Sequence, residues 1–167
     1  RTSFVGSTSG LEADLLDDVD AEFYGIAAGK LRRYLSVENL RDAFLVLLGI
    51  WQAFWLLGRL RPDVVFSKGG FVSFPVVLAA WLRRVPVVAH ESDLTPGLAN
   101  RLALPFVRTV CTSFHGTEFP GFKGRVVHTG TPLRASLLAG DPSRGRQLIG
   151  AGETERVLDR KSTRLNS

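Results

Sequence analysis

Short runs of β-branched and apolar residues alternate along this chain with apolar segments of helical length. The short runs cover residues 3–6, 64–67, 85–90, 109–112 and 126–129, and the longer ones cover 11–18, 37–61, 70–84, 97–106 and 132–138. Strands that are apolar nearly throughout, separated by helices, predict a parallel sheet covered on both faces. The expected fold class is α/β, an open Rossmann-like sheet. Ligands of such sheets bind beyond the carboxyl ends of the strands, where loops run into helices. That directs attention to Gly6-Ser7, Ser67-Lys68-Gly69-Gly70, His90-Glu91-Ser92-Asp93 and Gly130-Thr131-Pro132. Thr95-Pro96 and Thr131-Pro132 each read as a helix N-cap followed by proline at the first helical position.

One segment departs from the amphipathic pattern. "AFLVLLGIWQAFWLLGRL" (43–60) carries a single polar side chain, Gln52, before Arg59. Its apolar part, residues 43–58, rises about 24 Å, against a hydrocarbon core of roughly 30 Å, so it is short for a membrane span. Phe44, Leu47, Leu48, Trp51 and Trp55 share one helical face, while Val46, Ile50, Ala53, Phe54 and Leu57 occupy other sides. A helix apolar all round needs cover on both faces. One face can pack on the sheet, and the nearby Lys30, Arg32, Arg33, Arg41 and Arg59 point to anionic headgroups on the other. Trp81, followed by Arg83 and Arg84, extends that patch. A monotopic membrane-contact face is the leading reading, ahead of a core or subunit-interface helix and of a true span.

At 167 residues and 45% hydrophobic content the chain supports one ordinary domain. The net charge of +5 is interleaved with bulky apolar residues, which fits a membrane surface or phosphate ligand better than nucleic acid. The single Cys111 excludes a disulfide framework and a cysteine-rich zinc site and is expected in the core; no leader pattern opens the chain, so the cytoplasm is the default. Two features concern the ends. The chain lacks an initiator Met and enters directly on a strand-like step, as though the opening of the fold were missing. Residues 159–167, "DRKSTRLNS", are aperiodic and resemble a translated sequencing adapter; they are set aside with their three bases and one acid.

Among the corners, Lys68-Gly69-Gly70 between a strand and a helix suits an anion. Glycine lets the backbone approach a ligand, helix-terminal N–H groups favour phosphate, and Lys68 adds charge. A plain tight turn is the alternative. His90-Glu91 reads as an acid/base or hydroxyl-binding pair, or as a histidine and carboxylate satisfied by local backbone, the latter being favoured. Asp93 starts an Asx-type turn. Arg134, a cation in a first helical turn, suggests an anionic partner, either ligand phosphate or a surface carboxylate. His115 and His128 lack metal-ligating neighbours in the sequence, and no metal motif, nucleophile elbow or Walker loop is present.

Taken in order, "GKLRRY" (29–34), "KGGFVSFP" (68–75), "HESDLTPGLANR" (90–101) and "TGTPLR" (129–134) resemble the family 28 glycosyltransferases that convert lipid I to lipid II. The wording resembles the Firmicute-type branch more than the proteobacterial one. The resemblance covers residues 1–158 and implies the N-terminal, acceptor half of a two-domain GT-B fold. It assigns 1–155 to that acceptor domain without its first strand and first glycine loop, and 156–158 to the start of the donor domain.

By resemblance the parent is an inverting N-acetylglucosaminyltransferase using UDP-GlcNAc and lipid I in peptidoglycan synthesis, without metal or cofactor. It would sit peripherally on the cytoplasmic face of the cell membrane, on its anionic leaflet, within a cell-wall synthesis complex. Lys68, Gly69, Gly70, Phe71, His90 and Glu91 are implied on the acceptor side; Arg134 and Asp93 toward the donor nucleotide, Asp93 standing where many members have Asn. Leu40, Phe44, Leu47, Trp51, Trp55, Trp81, Arg32 and Arg33 are implied in the membrane patch. The candidate catalytic base would precede Arg1, so the chain alone is expected to be inactive. The alternative is a non-catalytic membrane-anchoring subunit of a split N-acetylglucosaminyltransferase.

Overall fold

Five strands form where the short apolar runs predict them: β1 (Ser3–Ser7), β3 (Val65–Ser67), β4 (Val87–Glu91), β5 (Thr109–Thr112) and β6 (Arg125–His128). The architecture comes from a computed structural model that describes residues 1–8, 21–29, 38–133, 139–150 and 152. A further strand, β2 (Glu22–Ile26), was not expected, because "EFYGI" is short and interrupted by glycine. Every pairing is parallel: β1 with β2 in one sheet, and β3-β4-β5-β6 in a second. The open parallel α/β architecture is therefore the one the alternation predicts. The predicted helix at 11–18 lies outside the described residues, as do Lys30, Arg32, Arg33 and Arg134 to Leu138.

The apolar segment is α1 (Glu38–Leu60), whose side chains are described from Asp42 onward. Asp42–Leu60 is long and apolar enough to cross a membrane by length and composition. Its Val46, Gly49, Ala53 and Leu57 stripe is nevertheless buried, and Ala53 and Leu57 join the core with Val76, Val77, Ala79 and Ala80 of α2 (Ser73–Leu82). Gln52, the polar exception, accepts a hydrogen bond from the Ala27 amide at 2.7 Å and so satisfies the backbone just beyond β2. The opposite stripe of Phe44, Leu47, Trp51 and Trp55 is 60–65% exposed.

Arg83 binds the C-terminal ends of α1 and α2 together. Its Nε donates to the Phe54 carbonyl and its guanidinium lies 4.2 Å from the Phe54 ring centroid. Gly58 makes this possible, since a Cβ there would collide with the guanidinium.

Three expectations need correction. Helix α2 starts at Ser73 rather than Gly70, with Val72 at the N-cap. Helix α3 (Leu98–Ala103) starts after Gly97, so Thr95-Pro96 precedes the helix instead of capping it. Cys111 is half-buried, because Val110 and Thr112 take the inward positions of β5.

The chain divides into two compact units, Arg1–Thr131 and Pro132–Ser167. In the second, α4 (Pro142–Ile149) is capped by Asp141, whose Oδ1 accepts from the Ser143 amide at 2.9 Å, and is closed by Gly150 at φ 69°. This helix was missed, although Asp-Pro before it and Gly after it are recognisable start and stop signals.

Candidate functional site

The parallel register brings the carboxyl ends of β3 and β4 side by side, Ser67 opposite Ala89, so the loops after them share one edge. There they enclose a pocket of about 480 Å³ lined by Lys68, Gly69, Gly70, Phe71, Glu91, Asp93 and Asn100, among others. Two of the sequence-predicted corners, Lys68-Gly69-Gly70 and His90-Glu91-Ser92-Asp93, are thus neighbours in space. His90 is buried and is not among the lining residues, and Arg134 lies outside the described residues.

Gly69 and Gly70 both adopt left-handed conformations, with φ of 90° and 92°. That backbone, rather than a helix onset, makes the corner. A Cβ on Gly69 would stand 3.1 Å from the Asn100 amide, whereas one on Gly70 would meet nothing within 4 Å. The Gly70 carbonyl accepts from the Ser73 hydroxyl at 2.7 Å. The amides of Gly70 and Phe71 have no partner among the described residues, which leaves two donors at this edge.

Lys68 is engaged inside the protein. Its Nζ lies 2.9 Å from His90 Nδ1 and donates to Ser92 Oγ at 2.7 Å. An ammonium only donates, so Nδ1 accepts and Nε2 carries the ring proton, donating to the Gly130 carbonyl at 3.1 Å. His90, 2% exposed, has both ring nitrogens occupied and orients Lys68. One ammonium N–H remains for a ligand.

Glu91 is held as a clamp for the loop that follows it. Its Oε1 accepts from the Asp93 amide at 3.0 Å; its Oε2 accepts from the Gly97 amide at 3.0 Å and from Asn100 Nδ2 at 2.8 Å. Burial pushes this carboxyl up, but the bonds from Asn100 and from the amides of Asp93, Gly97 and Ser92 outweigh it and hold the group below its ordinary value. The geometry matches the structural alternative for His90-Glu91 rather than an acid/base pair. Asp93 is exposed at the pocket rim, with no side-chain partner among the described residues.

A depressed carboxyl makes stability depend on pH in a defined direction. The unfolded chain takes up the proton first, so the contribution of Glu91 is complete above the ordinary carboxylate range and is lost as pH falls through the folded value. Glu91→Gln is expected to flatten the loss of urea-unfolding stability between pH 5 and pH 3, and to lower stability at pH 7 by about 1–3 kcal/mol because buried donors lose their acceptor. An unchanged acid slope would show that the clamp carries no linkage.

Asn100 is the site residue that motif reading missed. It is 8% exposed, and because a carboxylate only accepts, its Nδ2 must face Glu91, leaving its Oδ1 buried without a partner. The available signal was a lone amide side chain within the apolar "LANRLA" of α3. Elsewhere, His115 and His128 stack with ring centroids 3.5 Å apart, and no group of three or more metal-ligating side chains occurs among the described residues.

Comparison with known proteins agrees with this arrangement. A sequence profile, the Glycosyltransferase family 28 N-terminal domain, matches residues 1–112. A Legionella pneumophila UDP-N-acetylglucosamine--N-acetylmuramyl-(pentapeptide) pyrophosphoryl-undecaprenol N-acetylglucosamine transferase is 49% identical over 95% of this chain and 44% of its own. The Clostridium perfringens protein of that name is 46% identical over 93% of this chain and 43% of its own. A crystal structure of Acinetobacter baumannii MurG superposes with a TM-score of 0.62 at 28% identity, over 80% of this chain and 37% of that one. The chain therefore spans less than half the length of the relatives it matches. With the profile, the fold and the pocket in agreement, the chain belongs to the glycosyltransferase family 28 N-terminal domain family.

Proposed function

We propose that this chain is the acceptor-side part of an inverting N-acetylglucosaminyltransferase that transfers GlcNAc from UDP-GlcNAc to lipid I, giving lipid II. The observation that carries this reading is the pocket at the β3 and β4 ends, in a chain 49% identical over 95% of its length to a transferase of that name. In it the free Gly70 and Phe71 amides and the remaining Lys68 N–H meet an acceptor diphosphate, and the left-handed glycines let that diphosphate approach the backbone. His90 positions Lys68, and Glu91 with Asn100 holds the facing loop. His90 and Glu91 serve as supports in this reading, and the base that deprotonates the acceptor hydroxyl is the one that the family resemblance assigns outside these residues. The family resemblance assigns Asp93 and Arg134 to donor-nucleotide binding and residues 1–155 to the acceptor domain.

The exposed Phe44, Leu47, Trp51 and Trp55 stripe, with Trp81, holds this domain peripherally on an anionic leaflet at the cytoplasmic face of the membrane. The family resemblance adds Leu40, Arg32 and Arg33 to the membrane contact, and a cell-wall synthesis complex is the setting. The deciding experiment is transfer of labelled GlcNAc to a short-chain lipid I analogue by the full-length protein that carries this chain. Label in a disaccharide diphosphate product is expected; transfer to other acceptors with none to lipid I would sink the proposal.

A further inference from the structure

The loop after β4 presents the one hydroxyl among the residues lining the glycine pocket, that of Ser92. Its backbone is tied down on both sides. The Glu91 carbonyl accepts from the Ser113 amide at 3.0 Å, and the Glu91 carboxylate holds the Asp93 and Gly97 amides that follow. A half-buried serine on a segment fixed in this way keeps its hydroxyl in a defined place.

The direction of the Ser92 proton follows from Lys68. Nζ lies 2.7 Å from Ser92 Oγ, and an ammonium has donors only, so the serine oxygen accepts and its own proton is left for another acceptor. No such acceptor occurs among the described residues, whereas the Ser73 hydroxyl at the same corner is spent on the Gly70 carbonyl. Accepting from a cation also polarises the O–H bond and makes it a better donor. Of the two carboxylates that line the pocket, Glu91 is taken up by N–H donors and Asp93 is exposed, where water and salt screen it.

We infer that the Ser92 hydroxyl is a direct ligand of the acceptor diphosphate, donating to a phosphate oxygen beside the one that Lys68 holds, and that it selects a diphosphate over a single phosphate. The Gly70 and Phe71 amides with the remaining Lys68 N–H supply donors for one phosphate, so a further polarised donor beside the ammonium suits the next phosphate of a linked pair. The inference rests on the acceptor reading of this pocket and adds to it a residue that decides which anion fits.

The test uses the full-length protein that carries this chain, with a short-chain lipid I analogue as acceptor. Separately, inorganic pyrophosphate and phosphate are titrated by calorimetry with UDP saturating the donor side. Ser92→Ala is expected to raise KM for the acceptor at least about tenfold with a much smaller change in kcat, because the contact is made alike in the ground and transition states. KM for UDP-GlcNAc should stay at the parental value. Ser92→Thr, which keeps the hydroxyl, should retain most of the acceptor affinity. A serine that merely orients Lys68 would act only through the lysine, so the deciding comparison is made in the Lys68→Met background. There, adding Ser92→Ala is expected to cost at least about threefold more, and no further loss overturns the inference. In calorimetry Ser92→Ala should weaken pyrophosphate at least about tenfold and phosphate by less; equal weakening of both, or none, overturns the selection of a diphosphate. Failure of the parent to make lipid II would sink the acceptor reading instead. A Ser92-dependent preference for pyrophosphate would still support Ser92 as a diphosphate ligand in that case, and its absence would overturn both.

Discussion

Gly70→Ala is expected to abolish most GlcNAc transfer by the full-length protein at only the backbone cost of about 1–2 kcal/mol in stability, and Gly69→Ala is expected to cost more stability as well. The two glycines share nearly the same left-handed φ, so the backbone penalty of an alanine, about 1–2 kcal/mol, is common to them. Their surroundings differ. A methyl at Gly69 presses on the Asn100 amide, which cannot withdraw without releasing Glu91; one at Gly70 projects into open space beside the unpaired amides. Gly69→Ala should therefore destabilise by about 2–3 kcal/mol in urea unfolding, and Asn100→Ala in the same background should recover part of that contact. Gly70→Ala should fall by at least about a hundredfold in kcat/KM for the acceptor while losing only the shared backbone penalty of about 1–2 kcal/mol in stability. Full activity of Gly70→Ala would mean that no ligand approaches this corner.

The second large effect concerns α1. Trp51→Glu with Trp55→Glu is expected to abolish sedimentation with anionic vesicles while circular dichroism and thermal unfolding stay native. Both residues are about 60% exposed, so burying neither leaves the core untouched, whereas two carboxylates on that face oppose an anionic surface and remove two large aromatic anchors. Each buried tryptophan contributes on the order of 2–3 kcal/mol of apolar transfer, so losing two corresponds to more than a hundredfold in partitioning. Ala53→Glu is the contrasting substitution on the buried stripe and should unfold the domain, since Ala53 is 1% exposed within the core. Unchanged sedimentation of the Trp51/Trp55 variant would rule out the exposed stripe as the contact.

Much of the scaffold was legible in the sequence because its strands are written as short continuous β-branched runs, of which β4 is buried nearly throughout. Thr109–Thr112 was predicted to the residue, and α1 to within one residue at each end. The strand Glu22–Ile26 escaped because an interrupting glycine and a charged first residue break the apolar run, and only pairing with β1 makes it a strand. The helix onsets were misjudged for a local reason: prolines and glycines announce that a turn occurs but not which of the following residues first adopts helical dihedrals. Thus α2 begins three residues after Gly70, and α3 after Gly97 rather than at Pro96.

By itself the sequence determined the α/β class, the corners at which chemistry gathers, and the family whose motifs those corners share, because alternation, glycine placement and motif order are local properties. Only the tertiary structure decided what the residues at those corners do. Lys68 and His90 are separated by 22 positions, and their contact at 2.9 Å exists because two parallel strands end side by side. That contact turns the histidine into a support for the lysine, as the Asn100 bond turns Glu91 into a clamp. The same holds for the apolar helix, where composition is hydrophobic on every side and only packing against α2 selects which stripe is left exposed. Hydrogen-bond partners and exposure depend on distances between residues remote in the chain, and those distances are set by the fold as a whole.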